Sequence, residues 1–274
     1  MLPFSVCMSV YQNDKPQDFR MALDSIIQQT LQPSEIVLVV DGPIDNELNE
    51  IVESLYEGTI PVNVIRLEKN KGHATARQTG IKNASYDLVA IMDSDDIADN
   101  ERFERQIVCF EKQTDLSVLG GQICEFVDSI DNIVGIRKVP LEHSEIKKYL
   151  GLRCPMNQVT VMMRKKDVLA VGGYLDWHCN EDYYLWIRML AAGYIFRNLP
   201  CKLMSVRVGK EMYSRRGGWK YFNSEARLQK YMLNEKIINF QRYMFNVFVR
   251  FVVQVLLPCR LRGYIFRKLF RKSK

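Results

Sequence analysis

The chain has 274 residues, a net charge of +6, and 47% hydrophobic and 26% charged residues. That length buries a sizeable core, and the composition excludes wholesale disorder. The seven cysteines (7, 109, 124, 154, 179, 201 and 259) are odd in number, scattered and without a Cys-x-x-Cys, so neither a disulfide framework nor a zinc site is indicated. Met1-Leu2-Pro3-Phe4 lacks the basic and apolar regions of a signal peptide, so a reduced, cytoplasmic setting is expected. Nine positive charges (Arg242, Arg250, Arg260, Arg262, Arg267, Lys268, Arg271, Lys272 and Lys274) follow Phe240, with no acid after Glu235. Taking those nine from +6 leaves −3 for the residues before, which argues against a nucleic-acid-binding body.

In chain order, Phe4 to Val10 reads as a strand and Phe19 to Gln29 as a helix. Ile36 to Val40 is a buried-type strand closed by Asp41-Gly42-Pro43. Glu47 to Tyr56 (helix), Val62 to Leu67 (strand), Thr75 to Lys82 (helix) and Val89 to Met92 (strand) continue the alternation. This rhythm predicts an α/β fold with a doubly wound, mostly parallel central sheet flanked by helices. Arg102 to Lys112 reads as a helix and Val118 to Val127 as a strand. A turn over Asp128 to Asn132 leads to a short strand, Ile133 to Lys138. Asn157 to Met163 is predicted extended, Gly172-Gly173-Tyr174 marks a tight turn, and Asp182 to Ala192 is a helix burying Tyr183, Trp186, Ile187 and Leu190.

The segment Met92-Asp93-Ser94-Asp95-Asp96 places three carboxylates where a buried strand ends, the edge at which α/β sheets bind ligands. An Asp-x-Asp pair there suits Mn²⁺ or Mg²⁺ gripping a diphosphate; equally, Asp96 can cap a helix starting near Asp99. Asp41 ends another strand and can accept an N–H from a base edge, or simply serve a turn. Asn70-Lys71-Gly72-His73-Ala74-Thr75-Ala76-Arg77 has small residues that let a helix start approach a ligand, with Lys71 and Arg77 to neutralise phosphate. Its glycine spacing fits neither a Walker A loop nor a dinucleotide fingerprint. Glu181-Asp182 opens a helix, as surface acids commonly do; its other reading makes Asp182 a general base. A helix start lowers a carboxylate's pKa, so burial or Glu181 would have to oppose the dipole. His178 lies just before this pair, where packing or an acceptor site are both open.

Taken together, Ser9-Val10-Tyr11, Val40-Asp41-Gly42, the Asn70 to Arg77 segment, Asp93-Ser94-Asp95-Asp96 and Gly172-Gly173-Tyr174 followed by Glu181-Asp182 resemble the inverting family 2 glycosyltransferases with the GT-A fold. The likeness spans roughly residues 4 to 207 and points to bacterial enzymes of O-antigen, capsule or exopolysaccharide assembly. It implies a transferase domain over 1–210 (nucleotide-sugar half about 1–98, acceptor half about 99–210). By the same resemblance Tyr11 and Asp41 meet the base, and Lys71, Gly72, Arg77, Asp93 and Ser94 line the nucleotide-sugar. Asp95, with Asp93, holds the metal, Asp182 is the base, and Glu181 and Arg188 sit toward the acceptor. The donor would be a nucleotide sugar, UDP-linked, and the acceptor a hydroxyl of an undecaprenyl-diphosphate type saccharide. Two departures stand out: Gln78 where the family often has Asn, and Val208-Gly209-Lys210 where some relatives carry a histidine near the metal.

The extension 211–274 is helical and basic-aromatic. In Tyr243 to Leu257, Asn246, Arg250 and Gln254 recur every four residues, and the apolar run is short for a membrane span. With Arg260 to Lys274 it suits a helix lying on an anionic bilayer, peripheral to the inner face of the cell membrane, or else a helix packed on the body. Arg215, Arg216 and Lys220 are placed to meet an acceptor diphosphate, or to form a solvated loop. The alternatives to a transferase are a nucleotidyltransferase on a similar sheet, poorly matched by Gln12 to Pro16, and a catalytically silent membrane-surface protein.

Overall fold

The computed structural model of the chain describes residues 1–209 and 217–258. Its first half follows the alternation read from the sequence: β1 (Phe4–Val10), α1 (Pro16–Ile27), β2 (Glu35–Val40), α2 (Asn46–Ser54), β3 (Val62–Arg66), α3 (His73–Asn83) and β4 (Leu88–Met92). Strands β3-β2-β1-β4 are parallel neighbours in that order, with Val6 opposite both Ile36 and Ala90. Every residue of β2 and β4 is buried, because helices cover both faces of the sheet. Strand alternation sends Val6, Met8, Ile36 and Leu38 to a core shared with α1 and α2, whereas Cys7 and Val37 face a second core on the opposite side.

Beyond β4 the sheet departs from the mostly parallel expectation. The short β5 (Ile97–Ala98) and α4 (Arg102–Lys112) lead to a long hairpin, β6 (Leu116–Val127) and β7 (Ser129–Arg137). Helix α5 (His143–Leu150), β8 (Met162–Arg164), α6 (Lys165–Ala170), α7 (Glu181–Ala191) and β9 (Ile195–Arg207) complete this half. Strand β8 joins β4 and β6 antiparallel, β6 runs parallel to β9, and β5 closes the far edge antiparallel to β9. The result is one mixed, curled sheet. The hairpin turns at Asp128 alone (φ 60°), so the turn expected over 128–132 is instead largely strand. The strand expected over 157–163 is also corrected. Gln158–Thr160 form a 3-10 turn, which lets buried Thr160 donate to the Asn157 carbonyl and accept the Gly121 N–H at 2.9 Å.

Two helices follow, α8 (Trp219–Asn234) and α9 (Phe240–Phe251), the second running into a π-helical turn over Val252–Leu256. They form an antiparallel pair, with Trp219 packed on Phe251 at 5.8 Å between ring centroids. No described helix is long and apolar enough to cross a membrane. Arg215, Arg216 and the segment Arg260 to Lys274 lie outside the described residues.

Candidate active site

The carboxyl ends of β1, β2 and β4 lie side by side at one edge of the sheet, which forms the floor of the candidate cleft. After β1, Tyr11 is half-buried with its ring 6.3 Å from that of His73, and its N–H donates to Asp14 Oδ2 at 3.1 Å. Asp41, buried at the end of β2, accepts the Lys71 N–H at 2.7 Å and the Gly72 N–H at 2.9 Å, one on each carboxylate oxygen. It thereby shapes the turn that starts α3, and each oxygen keeps a further lone pair for a ligand donor. The turn depends on glycine: a Cβ at Gly42 (φ +89°) would meet the Asn70 nitrogen at 2.5 Å.

The three acids after β4 are sorted into different tasks. Asp93 pairs with Arg77 at 2.9 Å; burial works to raise its pKa, but the Arg77 charge and hydrogen bond overcome this and hold it below the usual range. Ser94 donates to Asp14 at 2.8 Å, tying the β4 loop to the β1 loop. Asp95 opens to the cleft, and no ion pair reaches it among the described residues. Desolvation by its surroundings, then the charges of Asp93 and Asp14, push it up to about 6. Asp96 is not a helix cap. It is buried, accepts the Arg207 N–H of β9 at 2.9 Å, and β5 separates it from α4.

Arg77 joins the two halves of the site. One nitrogen meets Asp93 and the other meets Glu181 Oε1 at 2.9 Å, so the acidic loop of β4 and the start of α7 are clamped by one buried guanidinium. This differs from a phosphate contact: both ends of the fork are engaged by carboxylates. Asp182 stands beside Glu181 and accepts the Tyr183 N–H at 2.7 Å. Burial and the neighbouring Glu181 outweigh that hydrogen bond and push it up to about 6, which suits a base working near neutrality.

Arg188 is corrected by the structure. Its guanidinium donates to the Val171 carbonyl and, at 2.6 Å, to the Gly173 carbonyl, and stacks 4.5 Å over the Tyr184 ring. It holds the Gly172-Gly173-Tyr174 loop rather than standing free for an acceptor diphosphate. Gln78 grips the same loop, accepting the Tyr174 N–H at 2.8 Å. Lys220 is exposed at the start of α8, and His178 is exposed on the loop before α7.

Two residues were missed by the sequence reading. Arg102, wholly buried, donates to the Ile91 carbonyl at 2.9 Å under the acidic loop; burial lowers its pKa to about 9 while Asp93 and Asp96 act in the other direction. Arg207 pairs with Asp18 at 3.0 Å and donates to the Asp95 carbonyl. The signal for Arg207 was its place at the end of a long strand. A buried Arg at a helix start carries no such mark.

For a divalent cation the donor chemistry fits: Asp95 is an open, charge-crowded oxygen ligand that no ion pair engages among the described residues. No cluster of three protein ligands exists among the described residues, and Asp93 is committed to Arg77, so the remaining ligands would come from diphosphate and water.

The chain is similar to known proteins over most of its length. An uncharacterized glycosyltransferase of Haemophilus influenzae is 38% identical over 99% of this chain and 100% of its own length. The UDP-Gal:alpha-D-GlcNAc-diphosphoundecaprenol beta-1,3-galactosyltransferase of Escherichia coli is 36% identical over 98% of this chain and 97% of its own. The amylovoran biosynthesis glycosyltransferase AmsE of Erwinia amylovora is 34% identical over 97% and 98%. The crystal structure of S. aureus TarS 1-349 in complex with UDP-GlcNAc superposes with a TM-score of 0.66 at 16% identity, over 98% of this chain and 76% of that one, a likeness of fold. The family described as Glycosyl transferase family 2 matches residues 5–172, and with relatives this similar over their whole length the chain belongs to it, as a glycosyltransferase of GT-A fold.

Proposed function

We propose that the chain moves a hexosyl group from a UDP-linked donor to a hydroxyl of a saccharide carried on an undecaprenyl-type diphosphate, with inversion at the anomeric carbon. The observation that carries this reading is the Arg77 clamp. It sets a donor-side acidic loop and a carboxylate of near-neutral pKa against one cleft. The names of relatives support the substrates: UDP-Gal and a diphosphoundecaprenol for the Escherichia coli enzyme, UDP-GlcNAc for the TarS complex. Tyr11 would flank the base, Asp41 would accept its N–H, and the Lys71-Gly72 turn would sit by the diphosphate. Asp182 takes the proton of the attacking hydroxyl as the new C–O bond forms on the face opposite the departing diphosphate. Mn²⁺ or Mg²⁺ on Asp95 would offset the charge growing on that leaving group.

The transferase portion is 1–210 and the extension 211–274 brings it to the inner face of the membrane, where a lipid-linked acceptor resides. The test is calorimetric titration of UDP with Mn²⁺ into wild type and Asp95→Ala. Metal-dependent binding that disappears in the variant is expected. Binding of equal strength with and without Mn²⁺, or in both proteins, would remove the metal role from Asp95; no nucleotide binding at all would sink the donor assignment.

A further inference from the structure

A surface helix with polar residues on one stripe ordinarily turns that stripe to water. Helix α9 does the reverse. Asn246 is 2% exposed and donates to Gln229 Oε1 of α8 and to the Gly151 carbonyl, both at 2.7 Å. Arg250 donates to Glu225 at 2.5 Å and to the Leu152 carbonyl at 2.9 Å. Gln254 is buried as well, and its backbone carbonyl accepts the Gly218 N–H at 2.9 Å, tying the end of the segment to the start of α8. The partners of Asn246 and Arg250 make their burial tolerable and fix the rotation of α9 about its axis.

That rotation leaves the apolar side outside. Phe240 is 63% and Phe248 66% exposed, and Met244, Phe245, Val249 and Leu256 are exposed on the same side. Trp219, packed on Phe222 and Phe251, extends the surface across the end of α8. Exposed apolar residues scattered singly need no explanation; a run of them along one helix does.

The surroundings are cationic. A groove of about 540 Å³ between α5 and the α8–α9 turn, lined by Ser144, Lys147, Lys148, Ile238 and Arg242, opens at the Phe240 end of the helix. No ion pair engages these three cations among the described residues. In sequence, residues 259–274 add Arg260, Arg262, Arg267, Lys268, Arg271, Lys272 and Lys274 and no acid. A protein interface core is depleted in lysine, whereas aromatic residues bordered by lysine and arginine match the boundary of an anionic bilayer.

We infer that the outward face of α9, with Trp219, is a bilayer-docking surface: Phe240, Phe245 and Phe248 enter the headgroup–acyl boundary, and Lys147, Lys148 and Arg242 meet anionic phospholipid headgroups. The purpose of this surface rests on the proposed lipid-linked acceptor. Helix α8 supports the loop that leads into Glu181-Asp182: Trp177 donates to the Ser224 carbonyl at 3.2 Å, and Ser224 donates to the His178 carbonyl at 2.6 Å. Docking through α9 therefore places the acceptor side of the cleft beside the membrane.

The test is co-sedimentation of the full chain with phosphatidylglycerol-containing vesicles and with phosphatidylcholine vesicles, for wild type and the double variant Phe245→Glu/Phe248→Glu. Both side chains are exposed, so the variant keeps its fold, checked by its melting temperature. Wild type is expected to bind the anionic vesicles, more weakly as salt rises, and the double variant to lose most of that binding; Lys147→Gln should cost about fivefold. Sedimentation of the double variant equal to wild type overturns the proposal, because the basic tail alone would then suffice. So does a wild-type dimer in solution that binds no vesicles and that the variant converts to monomer, which makes the face a subunit interface. UDP titration of the same samples reads the donor site separately: vesicle binding without UDP binding leaves this surface standing while the transferase substrates fall.

Discussion

Replacing Arg77 by Met removes the guanidinium that clamps Asp93 and Glu181, each at 2.9 Å, in a site where the Arg side chain is only 10% exposed. Two carboxylates then face each other in the cleft without their counter-charge. Losing one partner of a buried ion pair costs about 3–5 kcal/mol; because Asp93 keeps some contact with water, the lower end, about 3 kcal/mol, applies here. For a chain of this size that corresponds to a fall in melting temperature of roughly 6–10 °C. The pH dependence carries a second signature. In wild type the lowered pKa of Asp93 stabilises the fold above its unfolded value and is lost on acidification. In Arg77→Met burial is opposed only by the smaller effects of the His73 and Arg102 charges, so that pKa rises and the variant loses stability relative to wild type as pH rises. The difference in melting temperature between variant and wild type is therefore larger at pH 8 than at pH 5, read by thermal unfolding monitored by circular dichroism. The triple variant Arg77→Met/Asp93→Asn/Glu181→Gln should recover most of the loss. A melting temperature within 2 °C of wild type at pH 8, taken as roughly 1 kcal/mol, would refute the clamp.

Asp182→Asn is expected to keep UDP affinity while turnover falls about 10²–10⁴-fold, the usual worth of a general base; normal turnover removes Asp182 from the chemistry. Because Asp182 is pushed up to about 6, kcat/KM should climb with pH through that value and then level, with the protonated base inactive below it. In Glu181→Gln that limb moves to lower pH, since one of the charges raising the Asp182 pKa is gone; an unmoved limb assigns it to another group. At Gly173 (φ +68°) a Cβ would stand 2.0 Å from the Gln78 amide oxygen, so Gly173→Ala should cost about 1–3 kcal/mol in denaturant unfolding, and no loss would mean that the loop is not held as described.

The parallel half of the sheet was legible because its signals are local. Apolar runs such as Ile36 to Val40 end at Asp-Gly or at clustered acids, and a covered strand has no other place to turn polar. The same reasoning singled out Asp41, the Lys71-Gly72 turn, Asp93, Asp95 and Asp182, segments that the Asp41 and Arg77 contacts bring together. It misread residues 157–163, where apolar β-branched residues are shared by a 3-10 turn whose hydrogen bonds run to Gly121. It also misjudged Arg188, whose long side chain reaches carbonyls of the 171–173 loop instead of a ligand.

The sequence by itself determined the order of elements through β4, the acids at the end of that strand and the polar stripe of α9, since periodicity and turn chemistry are properties of neighbouring residues. Only the tertiary structure decided what those groups face. The Arg77–Glu181 contact joins residues 104 apart, and the Asp96–Arg207 hydrogen bond joins residues 111 apart. Asn246 turns inward because Gln229 and the Gly151 carbonyl wait there. A side chain's partner depends on which surfaces the fold brings together, and burial then forces each charge or amide to find one.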